Sequence, residues 1–332
     1  MISSGPSDIG RALMLAQRGS AAGADIARVA DEITSGLVSD PVKSASGDAA
    51  QVYAVESYLS NIKVDREIVA TVQRRSEVAQ TTLNSLRETI LPLGPNLTAA
   101  TTADDSLRAA AYSQTAAETL DFALAGLNAT IAGRSLFGGV SNDTPLVGSA
   151  DALLADVRAA IAKGSDTPIA TVEDYFSDGG AFSTDFWQGE PEAGALTLAS
   201  GHSLESLPTG DGDAFRSMLK GLTLAALSTD ESLAPESADQ LAFQEGAGKA
   251  LSTAADELAT LQAEIGTGQE RAVRIESILV AEQTAAEITR GALFNTDPYA
   301  ASAELTALEA QLETLYTITA RLSQLSLTNY LR

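Results

Sequence analysis

The sequence predicts a mainly α protein: a long antiparallel helical rod or coiled coil formed by the N- and C-terminal segments, with a small α+β insertion domain in the middle. Three observations predict it. Apolar residues recur at alternating spacings of three and four over long stretches at both ends of the chain, which is the spacing of one helix face. Ala, Ser, Thr and Leu dominate while aromatics are only 5% of residues, a mix that favours helices packed closely through small side chains. Between the periodic ends, residues 141–245 hold ten of the 26 Gly, five of the ten Pro and the one Trp, so helical periodicity gives way there to turn chemistry.

Taken in order, the first helix runs from Ile9 to Leu37, where Ile9, Leu13, Ala16, Ser20, Gly23, Ala27, Ala30, Thr34 and Leu37 keep coiled-coil spacing with small occupants. Gly36 and the turn-rich DPVKSASGD break it. A longer helix follows from about Asp48 to Ile90, carrying Val52, Val55, Leu59, Ile62, Arg66, Val69, Val72, Ser76, Ala79, Leu83, Leu86 and Ile90 with one slip between Val69 and Val72. Its length, at roughly 1.5 Å per residue, is about 60 Å. LPLGPN ends it, and a third helix is expected from Asp104 to Ala132.

The middle carries helical patterns at 149–163 and 211–228, with FSTDFWQG and GALTLAS reading as short strands joined by a turn at EPEAG. Periodicity resumes with Leu251, Leu258, Leu261, Ile265, Ala272, Ile275 and Leu279, until GALFNTDPY interrupts it. Ala301 to Arg332 forms the last helix, with Leu305, Leu308, Leu312, Leu315, Ile318, Leu322 and Leu325 on one side. The boundaries expected are terminal helices at 1–47 and 292–332, a helical rod at 48–140 with 240–291, and a solvent-exposed insertion at 141–239. An insertion that leaves and returns at one place requires the two ends to lie side by side.

The formal net charge is -23, which argues against a nucleic-acid or anionic-membrane surface. Residues 141–245 carry 18 of the 44 acidic groups but 4 of the 21 basic ones, so the middle should be acidic outside. Zero Cys and one His remove thiolate sites and leave His-based metal or triad chemistry hard to build. No catalytic, cofactor-binding or metal residue is therefore assigned, and no enzyme is expected. The N-terminus shows no cleaved secretory signal, and no apolar window of membrane-spanning length occurs.

Four local patterns have bland explanations. GAGKA at Gly246 to Ala250 has Phe243 at the first glycine position of a phosphate loop and Ala250 in place of the magnesium-binding hydroxyl. Asp211 and Asp213 lack a twelve-residue calcium loop and read as a cap for the following helix. His202 sits in a Gly-Ser-rich turn without ordered partners, and the Asn-x-Thr sequences at Asn96, Asn128 and Asn142 occur at chance level.

Two stretches together resemble the flagellin family: EITSGLVSDPVKSASGDAA at Glu32 to Ala50, where a terminal helix ends in Ser-Gly-Leu, and the closing helix ALEAQLETLYTITARLSQLSLTNYL at Ala307 to Leu331. Within that family, GRSLFGGVSNDTPL resembles the hook–filament junction (third hook-associated) branch more than filament flagellin, through Gly133, Leu136, Phe137, Gly138, Gly139 and Pro145. The chain departs from the family pattern at SDPVKSASGD and in starting its first helix near Pro6. The resemblance implies a structural subunit of the bacterial flagellum, exported through the type III apparatus without a cleaved signal peptide and located outside the cell. Its partners would be copies of itself, hook-associated proteins and flagellin, with an export chaperone, and no nucleic acid or membrane. The implied assembly residues are Ile9, Leu13, Ile26, Ile33, Leu37, Leu305, Leu308, Leu312, Leu315, Ile318, Leu322, Leu325 and Leu327. Filament flagellin itself is the alternative within the class, and an acidic cytosolic coiled-coil adaptor or chaperone the alternative outside it.

Overall fold

The computed structural model describes residues 8–330 except 46, 104, 142–144, 165 and 235; the side chains of 8, 9, 11, 12 and 322–330 lie outside the description. Pro6, Asn142 and the side chains of Ile9, Leu322, Leu325 and Leu327 therefore fall outside it. The chain is mainly α. Its elements are α1 (Asp8–Ser35), α2 (Pro41–Ser44), α3 (Ala49–Ile90), α4 (Leu93–Thr102), α5 (Ser106–Leu127), β1 (Thr130–Ile131), β2 (Arg134–Ser135), α6 (Ala150–Lys163), α7 (Pro168–Tyr175), a π-helical turn (Phe182–Phe186), β3 (Leu196–Thr197), β4 (Ser203–Leu204), α8 (Asp213–Leu227), α9 (Ser237–Phe294) and α10 (Pro298–Tyr330).

Local chemistry sets the helix ends. Gly36 stops α1 at φ +72°, its N–H bonded to Glu32 O at 2.9 Å, the left-handed termination that glycine adopts without a Cβ clash. Asp48 accepts from the N–H groups of Ala50 and Gln51 to open α3, Asp105 caps α5, and Ser149 and Thr167 cap α6 and α7. Asp297 accepts from Tyr299 and Ala300. With Pro298 at the first helical position, where no N–H is needed, this cap starts α10 three residues earlier than the leucine pattern suggests.

Contacts divide the chain into two compact units, residues 1–62 with 280–332, and residues 63–279. In the first, α1 lies antiparallel along α10: Arg28 bonds Glu304, while nearer the connection Val38 N–H bonds Phe294 O and Thr296 N–H bonds Gly36 O.

The second unit has a continuous core built by α3, α4, α5, α8 and α9 together with the segment 146–234. Phe137, Phe182, Phe215, Phe243, Leu83, Leu86, Leu120 and Leu127 are fully enclosed. Within its span, the expected stripes of α3 and α9 are the buried or half-buried ones, from Arg66 to Ile90 and from Leu251 to Leu279.

Three sequence expectations need correction. LPLGPN ends α3 at Ile90 as expected, but the next helix starts at once, at Leu93–Thr102, rather than at Asp104; Pro95 falls in the first turn, where its missing N–H costs no helical bond. FSTDFWQG is not a strand. Phe182–Phe186 forms the π turn, which brings Phe182 to 5.4 Å from the Phe176 ring and 6.1 Å from Phe186, so ring packing overrides the β-preference of aromatic residues. GALTLAS supplies only Leu196–Thr197, paired antiparallel with Ser203–Leu204 around a turn at 198–202 rather than at EPEAG.

Candidate assembly surface

The α1–α10 seam uses a different register of α1 from the small-residue series. Ala22 and Val29 are buried and Leu15, Ile26 and Ile33 half-buried, whereas Ala16, Ser20, Gly23, Ala27 and Thr34 are exposed, with Leu13 at 61% and Leu37 at 47%. Two heptads interleave on one helix. The inward one carries the β-branched and aliphatic bulk, which gains more from burial than alanine or serine does. The other faces outward except at half-buried Ala30, so Ile26 and Ile33 belong to the intramolecular seam while Leu13 and Leu37 stand on the open side.

On α10, Leu305, Leu308, Leu312 and Leu315 are each half-buried and Ile318 is 42% exposed. Tyr316 and Tyr299 point outward. The single chain thus covers its leucine stripe only in part.

Sequence spacing gives no sign of the polar pin across this seam. Arg28 donates Nη1 to Glu32 and Nη2 to Glu304, both at 3.0 Å, with Asp25 3.7 Å from Nε. Glu32 also accepts from Ser39 N–H at 2.9 Å. The Ser39 bond and then Arg28 hold the Glu32 carboxyl below its ordinary range against the opposing effect of burial, and Glu304 with Glu32 raises the Arg28 pKa. Residues 276 apart in sequence leave no local spacing from which Arg28–Glu304 could be read.

In the other unit, Ser135 to Gly138 of the Gly133–Pro145 loop are buried in the core. Ala132 at φ +50° and Gly133 at φ +75° make the two-residue turn joining β1 to β2. Leu136 and Phe137 then turn inward, with the Phe137 ring 5.1 Å from Phe215. Gly138 sits so close to Ser141 O that a Cβ would come within 2.9 Å. Gly139 combines φ +66° with the carbonyls of Glu190 and Pro191 directly over it. The Asn128 amide closes the loop, accepting from Leu146 and Val147 N–H and donating to Val147 O. Pro145 is exposed.

The bland motifs resolve into packing. GAGKA lies inside α9, where a Cβ on Gly248 would meet Thr98 Oγ1 at 2.5 Å and one on Gly94 would meet Gly248 O at 3.0 Å; the glycines let α4 and α9 approach. Asp211 and Asp213 do not cap α8, whose N-cap is Gly212 without a side-chain cap bond; Arg216 instead donates to Asp211 O at 2.7 Å and pairs with the Asp213 carboxylate. His202 lies in the β3–β4 turn, its carbonyl accepting from Leu198 N–H. Among the described residues no three His, Asp or Glu side chains gather as a metal site, and no helix is long and apolar enough to cross a membrane.

Residues 249–331, most of α9 and α10, match the model of the bacterial flagellin C-terminal helical region. A crystal structure of Bacillus cereus FlgL shares the fold, with a TM-score of 0.50 at 15% identity over 72% of this chain and 99% of that one. A comparison with curated proteins finds no match.

Proposed function

We propose that this chain is a non-catalytic structural subunit of the bacterial flagellum, a member of the flagellin family that joins hook to filament and polymerises through its terminal helices. The observation that carries the reading is the pairing of the two chain ends with a second heptad of α1 left open, in a chain whose C-terminal quarter matches the flagellin helical region. A helix with apolar positions on two sides and one neighbour has area to bury against further copies. On this reading Leu13, Leu37 and Ile318 face neighbouring subunits, while Ile26, Ile33, Leu305, Leu308, Leu312 and Leu315 hold the pair together; Ile9, Leu322, Leu325 and Leu327 are assigned to assembly from the sequence alone.

The junction role draws support from the Leu136–Gly139 loop pattern, in a chain whose fold is like that of FlgL. Hook-associated proteins and flagellin are then its axial neighbours. It would travel unfolded through the type III apparatus with a chaperone and function outside the cell. Filament flagellin is the second reading, favoured by the family of the C-terminal match.

Electron microscopy of cells lacking the protein tests both. Hooks without filaments support the junction subunit, whereas absent filaments above an intact junction support flagellin. Normal axial structures would exclude both. Removal of residues 298–332 should leave a soluble chain that no longer enters the axial structure, and normal incorporation would overturn the role given to α10.

A further inference from the structure

Within the 63–279 unit, Arg75 of α3 reaches the β1–β2 hairpin and donates Nη2 to Ser135 O at 3.1 Å. Its Nε is buried and has no partner, the only side-chain nitrogen so placed among the described residues. The side chain is half-buried and joins no ion pair among the described residues, whereas Arg66 on the same helix pairs with Glu276, Arg158 with Asp230 and Arg271 with Glu205.

The hairpin adds a second cation and a second unsatisfied group. Arg134, exposed, precedes Ser135 in β2, and burial together with the Arg134 charge pushes the Arg75 pKa down. Ser135 is 2% exposed and its Oγ also lacks a partner. Buried polar groups are normally satisfied and a cation drawn out of water is normally paired. With 44 acidic residues against 21 basic ones the chain has carboxylates to spare, yet none of the described ones is placed on Arg75. A bound water would satisfy Nε but leave the Arg75 charge uncompensated.

We propose that Arg75 and Arg134 together bind a carboxylate supplied from outside the chain. Arg75 Nε–H donates to a carboxylate oxygen in the planar geometry that suits a guanidinium, Arg134 adds charge from the exposed rim, and the Ser135 hydroxyl is a further donor beside Arg75. A free carboxylate and an Asp or Glu side chain of a second copy offer the same group, and residues 141–245 carry 18 of the 44 acids.

The test is a titration of the full chain with sodium acetate at about pH 6, where a carboxylate is ionised, with ionic strength held constant by chloride. The reporter is the Arg75 Nε–H NMR signal, identified by its loss in Arg75→Lys. A saturable downfield shift is expected, half-complete at roughly tens of millimolar, with none from acetamide, which has a similar shape without the charge. Arg134→Gln, a surface change, should weaken acetate binding by about two- to fivefold. Absence of a saturable shift, an equal shift with acetamide, or unchanged binding in Arg134→Gln overturns the site. Tighter binding of inorganic phosphate than of acetate overturns the choice of a carboxylate.

Solid-state NMR of the assembled protein without acetate then separates the sources. An Arg75 signal at its acetate-saturated position identifies a side chain of a neighbouring copy; a signal at its unliganded position, with acetate binding intact, identifies a free carboxylate. The titration itself does not depend on assembly, so failure of the flagellar reading leaves it untouched.

Discussion

The unit 63–279 and the unit formed by the chain ends satisfy their apolar residues by different means. The first encloses Phe137, Phe182, Phe215 and Phe243 completely, among leucines drawn from six helices. The second places α10 along α1, where Leu305, Leu308, Leu312 and Leu315 keep part of their surface in water. One unit completes a core by itself; the other leaves a helix with a spare apolar face. The difference teaches that identical heptad spacing can serve either purpose, and that enclosure, rather than periodicity, separates them.

The largest expected effect tests the enclosure. Phe137→Ala should cost about 3–5 kcal/mol, the usual range for a fully buried aromatic, whereas Leu308→Ala, half-buried, should cost about 1 kcal/mol. Urea unfolding followed by circular dichroism should show Phe137→Ala displacing the more resistant transition and Leu308→Ala the less resistant one. A common shift in one transition would mean that the two units unfold as a single cooperative body.

Next in size is a contrast of sign within α9. Gly248→Ala places a methyl against Thr98 and should destabilise by about 1–3 kcal/mol through overpacking. Gly266→Ala meets only Gln80 Nε2 at 3.8 Å and should stabilise by up to about 1 kcal/mol through helix propensity. Thermal midpoints of the two variants should move in opposite directions.

The two faces of α1 give the third comparison. Val29→Glu puts a charge into the seam and should reduce hydrogen-exchange protection along residues 298–315. Ala27→Glu, on the exposed heptad, should leave monomer stability within about 0.5 kcal/mol yet, if the proposed assembly role holds, prevent incorporation into the axial structure. Normal incorporation of Ala27→Glu would show that the open heptad carries no subunit contact.

The helices were legible where one apolar register dominated, as from Val52 to Ile90, because burial and spacing then coincide residue by residue. On α1 two registers compete. The eye follows the run of alanines to Leu37, while energetics choose Leu15, Ile26, Val29 and Ile33 because larger side chains gain more from leaving water. The strand expected at FSTDFWQG failed for a related reason: Phe182 and Phe186 read as β-formers, and although Phe176 lies close upstream, the spacing of the three rings does not announce the π turn that packs them together. The Gly133–Pro145 loop was recognisable as a pattern. Its work, seating Phe137 under Phe215 beside Gly139, depends on carbonyls some fifty residues downstream at Glu190 and Pro191.

The smallest effect concerns the polar pin of the terminal pair. Glu32 is held below the ordinary carboxylate range by Ser39 N–H and by Arg28, so its folded pKa lies below its unfolded value of about 4.3. A depressed carboxylate contributes stability that is present above the unfolded pKa and lost as pH falls toward the folded one. Acidification from about pH 6 to about pH 3 should therefore loosen α1 from α10. Glu32→Gln should lower the midpoint of the less resistant transition at the higher pH and reduce its dependence on pH, since the neutral amide keeps an acceptor for Ser39 but no charge for Arg28. Asp230, depressed by Ser232 and Arg158 in the 63–279 unit, titrates in the same direction. The difference between the parent and Glu32→Gln curves, rather than either curve alone, isolates the terminal seam. Equal slopes for the two proteins would place the acid sensitivity outside the Arg28–Glu32–Ser39 network.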